Sequence, residues 1–131
     1  MSSRSGDDRG TVSALVVCIS AALVLLGLYL HDSSVVMDEY ARISDVAGNA
    51  ARVGAQSVVG IRAGSPHLDG RAALMSARRF LLDNGVTATV TMSNGSIVVE
   101  AESIVDMPSL RLVGLGPRRV HTRQTARLVA G

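Results

Sequence analysis

An α+β protein carried on one N-terminal membrane helix is the fold class this sequence predicts, and three observations predict it. Thr11 to Leu30 (TVSALVVCISAALVLLGLYL) is a run of twenty residues without a charge. Beyond it, apolar residues recur at steps of three and four as far as Val59. From Val86 the period changes to two and is kept through three segments. Helices first and strands last give segregated layers, in contrast to the alternation of a parallel α/β fold.

The uncharged run comes first. At about 1.5 Å per residue it forms a helix roughly 30 Å long, the thickness of a bilayer's hydrocarbon core. No later stretch is as hydrophobic. Arg4 and Arg9 precede it, and the first basic residue after it is Arg42, beyond His31, Asp32, Asp38 and Glu39. Arginines set orientation and acids count for little. The expectation is a single-pass protein of the cell membrane, with residues 1–10 cytoplasmic, 11–30 spanning, and 31–131 an extracytoplasmic domain. A cleavable signal peptide is the competing reading. Its apolar core runs about 7–15 residues and ends in a small-x-small site, whereas this run is longer and closes on Gly27-Leu28-Tyr29-Leu30-His31. Cys18 is the only cysteine and forms no internal disulfide; Leu15-Val16-Val17 before it is no lipobox, so it reads as a small buried hydrophobe.

From about Ser33 to Val59 helical periodicity continues. Val36, Tyr40, Ile43, Ala47, Ala50, Ala51, Gly54 and Val58 form one stripe, with Asp38, Arg42, Asp45, Asn49 and Arg52 largely opposite. No proline interrupts Thr11 to Val59, which predicts one continuous helix. Ala47, Ala50, Ala51 and Gly54 make a small-residue face that lets another helix approach closely. That helix is either the domain's own second helix or one from another chain, including self-association of this one.

Ile61 to His67 is a Gly/Pro/Ser break. Asp69 then caps a second helix to about Asp83, with Ala73, Leu74, Ala77, Phe80 and Leu81 on one face. Asn84-Gly85 is its stop, since glycine takes the left-handed conformation there. Arg78-Arg79 reads as a solvated face. Val86 to Met92 alternates, Ser93-Asn94-Gly95-Ser96 is a hairpin turn, and Ile97 to Ile104 returns. Ser109 to Leu115 reads as a helical turn laying Leu110, Leu112 and Val113 on the sheet. Arg118 to Val129 is a third strand, with Val120, Thr122, Gln124, Ala126 and Leu128 on one side.

Chemistry is not signalled. His31, His67 and His121 are dispersed without a ligand at metal spacing. Glu100 and Glu102 share a strand face in the manner of solvated residues. Gly114-Leu115-Gly116 is no phosphate loop. The reading is a protein with no catalytic, cofactor or metal site, and not an enzyme. A net charge of +2 and an aromatic set of Tyr29, Tyr40 and Phe80 give no footprint for nucleic acid. A domain of about a hundred residues without Trp or disulfides buries a modest core and is expected to lean on partners.

Asp8-Arg9-Gly10, then Thr11-Val12-Ser13-Ala14 and a long apolar helix, resembles the TadE/TadG-like proteins of Flp (tight adherence) pilus systems. Ala51-Arg52-Val53-Gly54-Ala55-Gln56, Ala77-Arg78-Arg79-Phe80-Leu81, Asn84-Gly85-Val86 and Thr125-Ala126-Arg127-Leu128 are similar to actinobacterial members. All thirteen basic residues are Arg, as in a GC-rich genome. The resemblance implies a pilin-like fold and a non-catalytic accessory or minor pilin-like component of a pilus-assembly or secretion apparatus. Its implied partners are the membrane and other assembly subunits. It also implies a peptidase junction between Gly10 and Thr11. Pilin-like members carry a Glu five residues beyond that glycine; here the position is Leu15, and no acid occurs from Thr11 to Leu30. A buried carboxylate costs several kcal/mol unless paired, so its absence implies that no such ion pair packs this chain into a filament, and favours an uncleaved anchor. The alternative from another class is a membrane-anchored binding or sensor domain of the cell envelope unrelated to pili.

Overall fold

A computed structural model describes residues 5–56, 58–59 and 67–127. Helix α1 runs Ser5–Ala55, 51 residues without a break, or about 76 Å at 1.5 Å per residue. Thr11 to Gly27 are exposed throughout, including Val12, Leu15, Val16, Leu23 and Leu26. None of the apolar window is buried inside the protein, and this helix is long and apolar enough to cross a membrane. A soluble core helix would bury that surface; here only the C-terminal half of α1 is covered.

The helix ends four residues earlier than its periodicity predicted. Val58–Val59 form a short strand, β1, paired antiparallel with β2, His67–Leu68. Two adjacent β-branched residues suit the extended chain better than a helix, and Val58 therefore leaves the stripe. The expected break from Ile61 to His67 falls, up to Pro66, outside the described residues. Helix α2 (Gly70–Asp83) starts where Asp69 accepts from the backbone N–H groups of Arg71 at 3.0 Å and Ala72 at 3.2 Å, and it stops at Asn84-Gly85.

α2 lies antiparallel to α1. Its first turns meet Gly54, and its C-terminus meets Arg42, whose Nη1 donates to the Asn84 carbonyl at 3.5 Å. The small face is what permits this: Ala47, Ala50, Ala51 and Gly54 are buried, as are Ala73 and Ala77 facing them. A Cβ on Gly54 would stand 3.0 Å from the Ala73 carbonyl oxygen, so any larger residue would push α2 outward.

Strands β3 (Thr87–Ser93), β4 (Ser96–Val105) and β5 (Arg118–Arg127) form an antiparallel sheet in that order, with Val90 opposite Val99 and Ala101 opposite Thr122. The β3–β4 turn has Asn94 at φ 50° and Gly95 at φ 71°, the two positive angles a type I′ hairpin requires. Val90, Ile97, Val99, Ala101, Val105 and Val120 face α1 and, with Ile43 and the alanines, make the core. The outer face carries Val98 and Ile104 among polar residues: Thr87, Thr89, Glu102, Arg119, His121 and Arg123 are exposed, and so is Ile104.

Relative to α1, the chain reverses direction four times, at the joins α1–α2, α2–β3, β3–β4 and β4–β5. β4 descends the helix, with Ile97 at Gly54, Ser103 at Glu39 and, beyond the strand, Leu110 at Asp32. β5 climbs again, with the Gln124 side chain donating to Ser44 Oγ at 2.9 Å. Between them lies α3, a single turn over Pro108–Arg111. Leu110 is buried as expected, but Leu112 and Val113 do not lie on the sheet; they are 84 % and 51 % exposed. The cause is that α1 already covers the sheet's inner face. The segment instead curls back on itself, with Leu115 N–H donating to the Leu110 carbonyl at 3.1 Å. Tyr40, expected on the buried stripe, is 45 % exposed.

Candidate functional site

Three places along α1 stand out, two of them singled out in the sequence. Gly10 and Thr11 lie in its early turns, exposed, with nothing within 4 Å of a Cβ built on Gly10. That peptide bond is helical. Leu15, at the position of the filament acid, is exposed among other apolar side chains. Cys18 is exposed on the same stretch, against the expected burial within the protein.

The small-residue face is wholly used inside the domain. Ala47, Ala50 and Gly54 are sealed between α2 and the sheet, with Ala73, Ala77 and Ile97 as their neighbours. A second copy has no access to it. Among the described residues, surfaces open to a partner include the outer side of the sheet, the exposed face of α2 with Met75 and Leu82, the Leu112–Leu115 segment and the apolar length of α1.

The third place is where α1 leaves its apolar stretch, and sequence reasoning missed it. Asp32 is 1 % exposed. Its Oδ2 accepts from the Leu110 N–H at 2.9 Å, fixing the first turn of α3. A carboxylate accepting from orphan N–H groups at a helix start is favourable. Its Oδ1 is buried without a hydrogen-bond partner among the described residues, a cost of about 1–3 kcal/mol by the usual penalty for an unsatisfied acceptor. The signal was there in the register: Asp32 precedes Val36, Ile43, Ala47 and Ala50 on the same stripe.

Two turns further on, Glu39 ties α1 to β4. It accepts from Arg42 Nε at 2.9 Å and Nη2 at 2.8 Å, and from Ser103 Oγ at 2.6 Å. The Arg42 hydrogen bonds, then that of Ser103, hold the carboxyl at about 2, well below its ordinary 4.5. The same pairing raises Arg42. Charge-assisted bonds of this geometry position the strand.

Among the described residues no three His, Cys, Asp or Glu side chains gather to hold a metal ion. His31 and His121 are exposed, Glu102 is exposed, and Glu100 meets Arg123 at 3.6 Å across the sheet's outer face. These groups form surface ion pairs and solvated positions, with no nucleophile aligned to a base. The arrangement can anchor, space and dock. Compared with protein-family models, curated proteins and solved structures, the chain has no significant match.

Proposed function

We propose that this chain is a non-catalytic, membrane-anchored accessory or minor pilin-like component of a Flp/Tad-type pilus-assembly or secretion apparatus. One observation carries the reading: a single 51-residue helix is bare along its apolar N-terminal part and packed under an antiparallel sheet along its C-terminal part. That division of one helix between lipid and domain is what a pilin-like subunit needs. The TadE/TadG-like N-terminal pattern around Gly10 and Thr11 supports the same assignment.

In this reading α1 is both anchor and spine. Its exposed apolar length holds the chain in the bilayer, with the domain on the extracytoplasmic side because Arg4 and Arg9 lie on the other. Its continuity carries the domain at a fixed offset from the membrane, since no proline or loop separates the two. The outer face of the sheet is the docking surface for other subunits. Leu15 in place of an acid keeps the chain in the membrane rather than in a filament held by buried ion pairs.

Affinity purification of the tagged full chain from its own membranes, after crosslinking, tests this. The expected result is enrichment of a secretion ATPase and Tad-type inner-membrane proteins, with loss of surface pili on deleting the gene. Recovery of none of these, together with unchanged piliation, refutes the assignment and leaves a membrane-anchored binding or sensor domain. A C-terminal reporter active only in the cytoplasm refutes the topology.

A further inference from the structure

In the β4–β5 connection several apolar side chains point away from the core. Leu112, Val113 and Leu115 are 84 %, 51 % and 51 % exposed, three large hydrophobics within four positions. Their place in the fold is fixed by α1. Leu110 is held to Asp32 at 2.9 Å, two residues beyond the end of the uncharged run, which is about 3 Å along a helix. Leu115 and Tyr29 line the same recess, together with Arg118 and Arg119. Because β4 descends α1 and β5 climbs it, this connection is the domain's pole on the side of the apolar helix.

We propose that the tip Leu112–Leu115 is a lipid-interfacial wedge, seated in the headgroup layer of the bilayer that α1 spans. It rests on the membrane-anchor reading of α1. The occupant follows from depth and chemistry. A surface of exposed leucine and valine at the level of Tyr29 meets the boundary between hydrocarbon and headgroups, where apolar side chains and tyrosine rings are favoured. Arg118 and Arg119, which line the recess with Tyr29, stand where lipid phosphates lie, and they suit anionic headgroups. The tight curl closed by the Leu115–Leu110 hydrogen bond presents the side chains as a preformed turn. With α1 the wedge gives the domain two points of contact with the bilayer, which fixes its tilt and leaves the outer sheet face at a constant angle to the membrane. An anchor helix alone leaves that angle open.

The chain contains no tryptophan, so a single introduced tryptophan reports its own surroundings. Three full-length variants are reconstituted in phosphatidylcholine vesicles with and without phosphatidylglycerol: Leu112→Trp at the tip, Leu23→Trp inside the apolar run, and Met75→Trp on the exposed face of α2 near the distal pole. Emission, iodide quenching and quenching by lipids brominated at shallow or deep carbons are read for each. The expected result is that Leu112→Trp emits to the blue of Met75→Trp, resists iodide, and is quenched more by shallow than by deep bromines. Adding Arg118→Gln and Arg119→Gln should weaken that protection in vesicles containing phosphatidylglycerol and leave Leu23→Trp unchanged. If Leu23→Trp is quenched by deep bromines while Leu112→Trp behaves like Met75→Trp, the wedge is refuted and the anchor stands. If Leu112→Trp is blue-shifted but insensitive to every bromolipid, a protein surface covers the tip and the lipid assignment is wrong. If Leu23→Trp is not quenched by lipid, the anchor and the wedge fall together.

Discussion

Replacing Gly54 and Gly48 by alanine in turn makes the same chemical change in two different surroundings on one helix. At Gly54 a Cβ would stand 3.0 Å from the Ala73 carbonyl oxygen, 3.2 Å from Ala77 Cβ and 3.3 Å from Ile97 Cγ1. At Gly48 nothing lies within 4 Å. Alanine is favoured over glycine in a helix interior by about 0.8–1.0 kcal/mol. At Gly48 that preference acts alone, so Gly48→Ala stabilises by about 0.5–1 kcal/mol. At Gly54 it is opposed by overpacking, which typically costs about 1–3 kcal/mol. The Ala73 oxygen belongs to the backbone of α2 and the Ala77 methyl cannot rotate away, so α2 itself must shift by a few tenths of an ångström. The net effect of Gly54→Ala is a destabilisation of about 1 kcal/mol, and Gly54→Leu exceeds it because three more carbons meet the same walls. For a domain of this size about 1 kcal/mol moves Tm by roughly 4–8 °C. Calorimetry of the full chain in detergent micelles, with amide exchange at Val90 and Val99 marking the domain, measures it. A Gly54→Ala protein whose Tm rises as much as that of Gly48→Ala refutes the close-packing argument.

Asp32→Ala removes the acceptor of the Leu110 N–H and should raise exchange of that amide by about tenfold, the loss of one buried hydrogen bond, while Asp32→Asn keeps most of the protection; equal exchange in wild type and Asp32→Ala contradicts the tether. Glu39 is held at about 2, below its ordinary 4.5, so its contribution to stability is complete above pH 4.5 and is lost as pH falls toward 2. Glu39→Gln should flatten the stability profile across that window, and should cost about 1 kcal/mol at neutral pH because Arg42 is half-exposed and the pair is screened. A profile as steep as wild type over that range shows that Glu39 is not the titrating group. For processing, intact mass of the membrane-extracted protein should give a main species that retains Arg4 and Arg9, and a dominant species beginning at Thr11 overturns the uncleaved-anchor expectation.

How much of this was legible in advance depended on the range of the interaction. Asp69, Asn84-Gly85 and Asn94-Gly95 act within a few residues, through a cap, a helix stop and a hairpin turn. Their signals were therefore complete in the sequence, and all three stand in the structure. The exposed apolar half of α1 was equally plain, because a membrane asks only for length and hydrophobicity. The end of α1 was less so: Val58 fits the helical period, yet it pairs with Leu68, a contact ten residues away that periodicity does not encode.

The amino-acid sequence by itself determined the α+β class, the order of the elements and the presence of a small-residue face on α1. Those follow from period, capping and side-chain size, which are properties of neighbours in the chain. Only the tertiary structure decided what that face meets, since the same alanines and glycine seat a helix of the same chain or of another equally well; here Ala73 and Ala77 fill it. It alone decided that Asp32 is buried against α3 while Leu112 and Val113 are left outside. Both outcomes depend on which surface the sheet had already given to α1, and a side chain's burial is fixed by that competition for space, which no local pattern records.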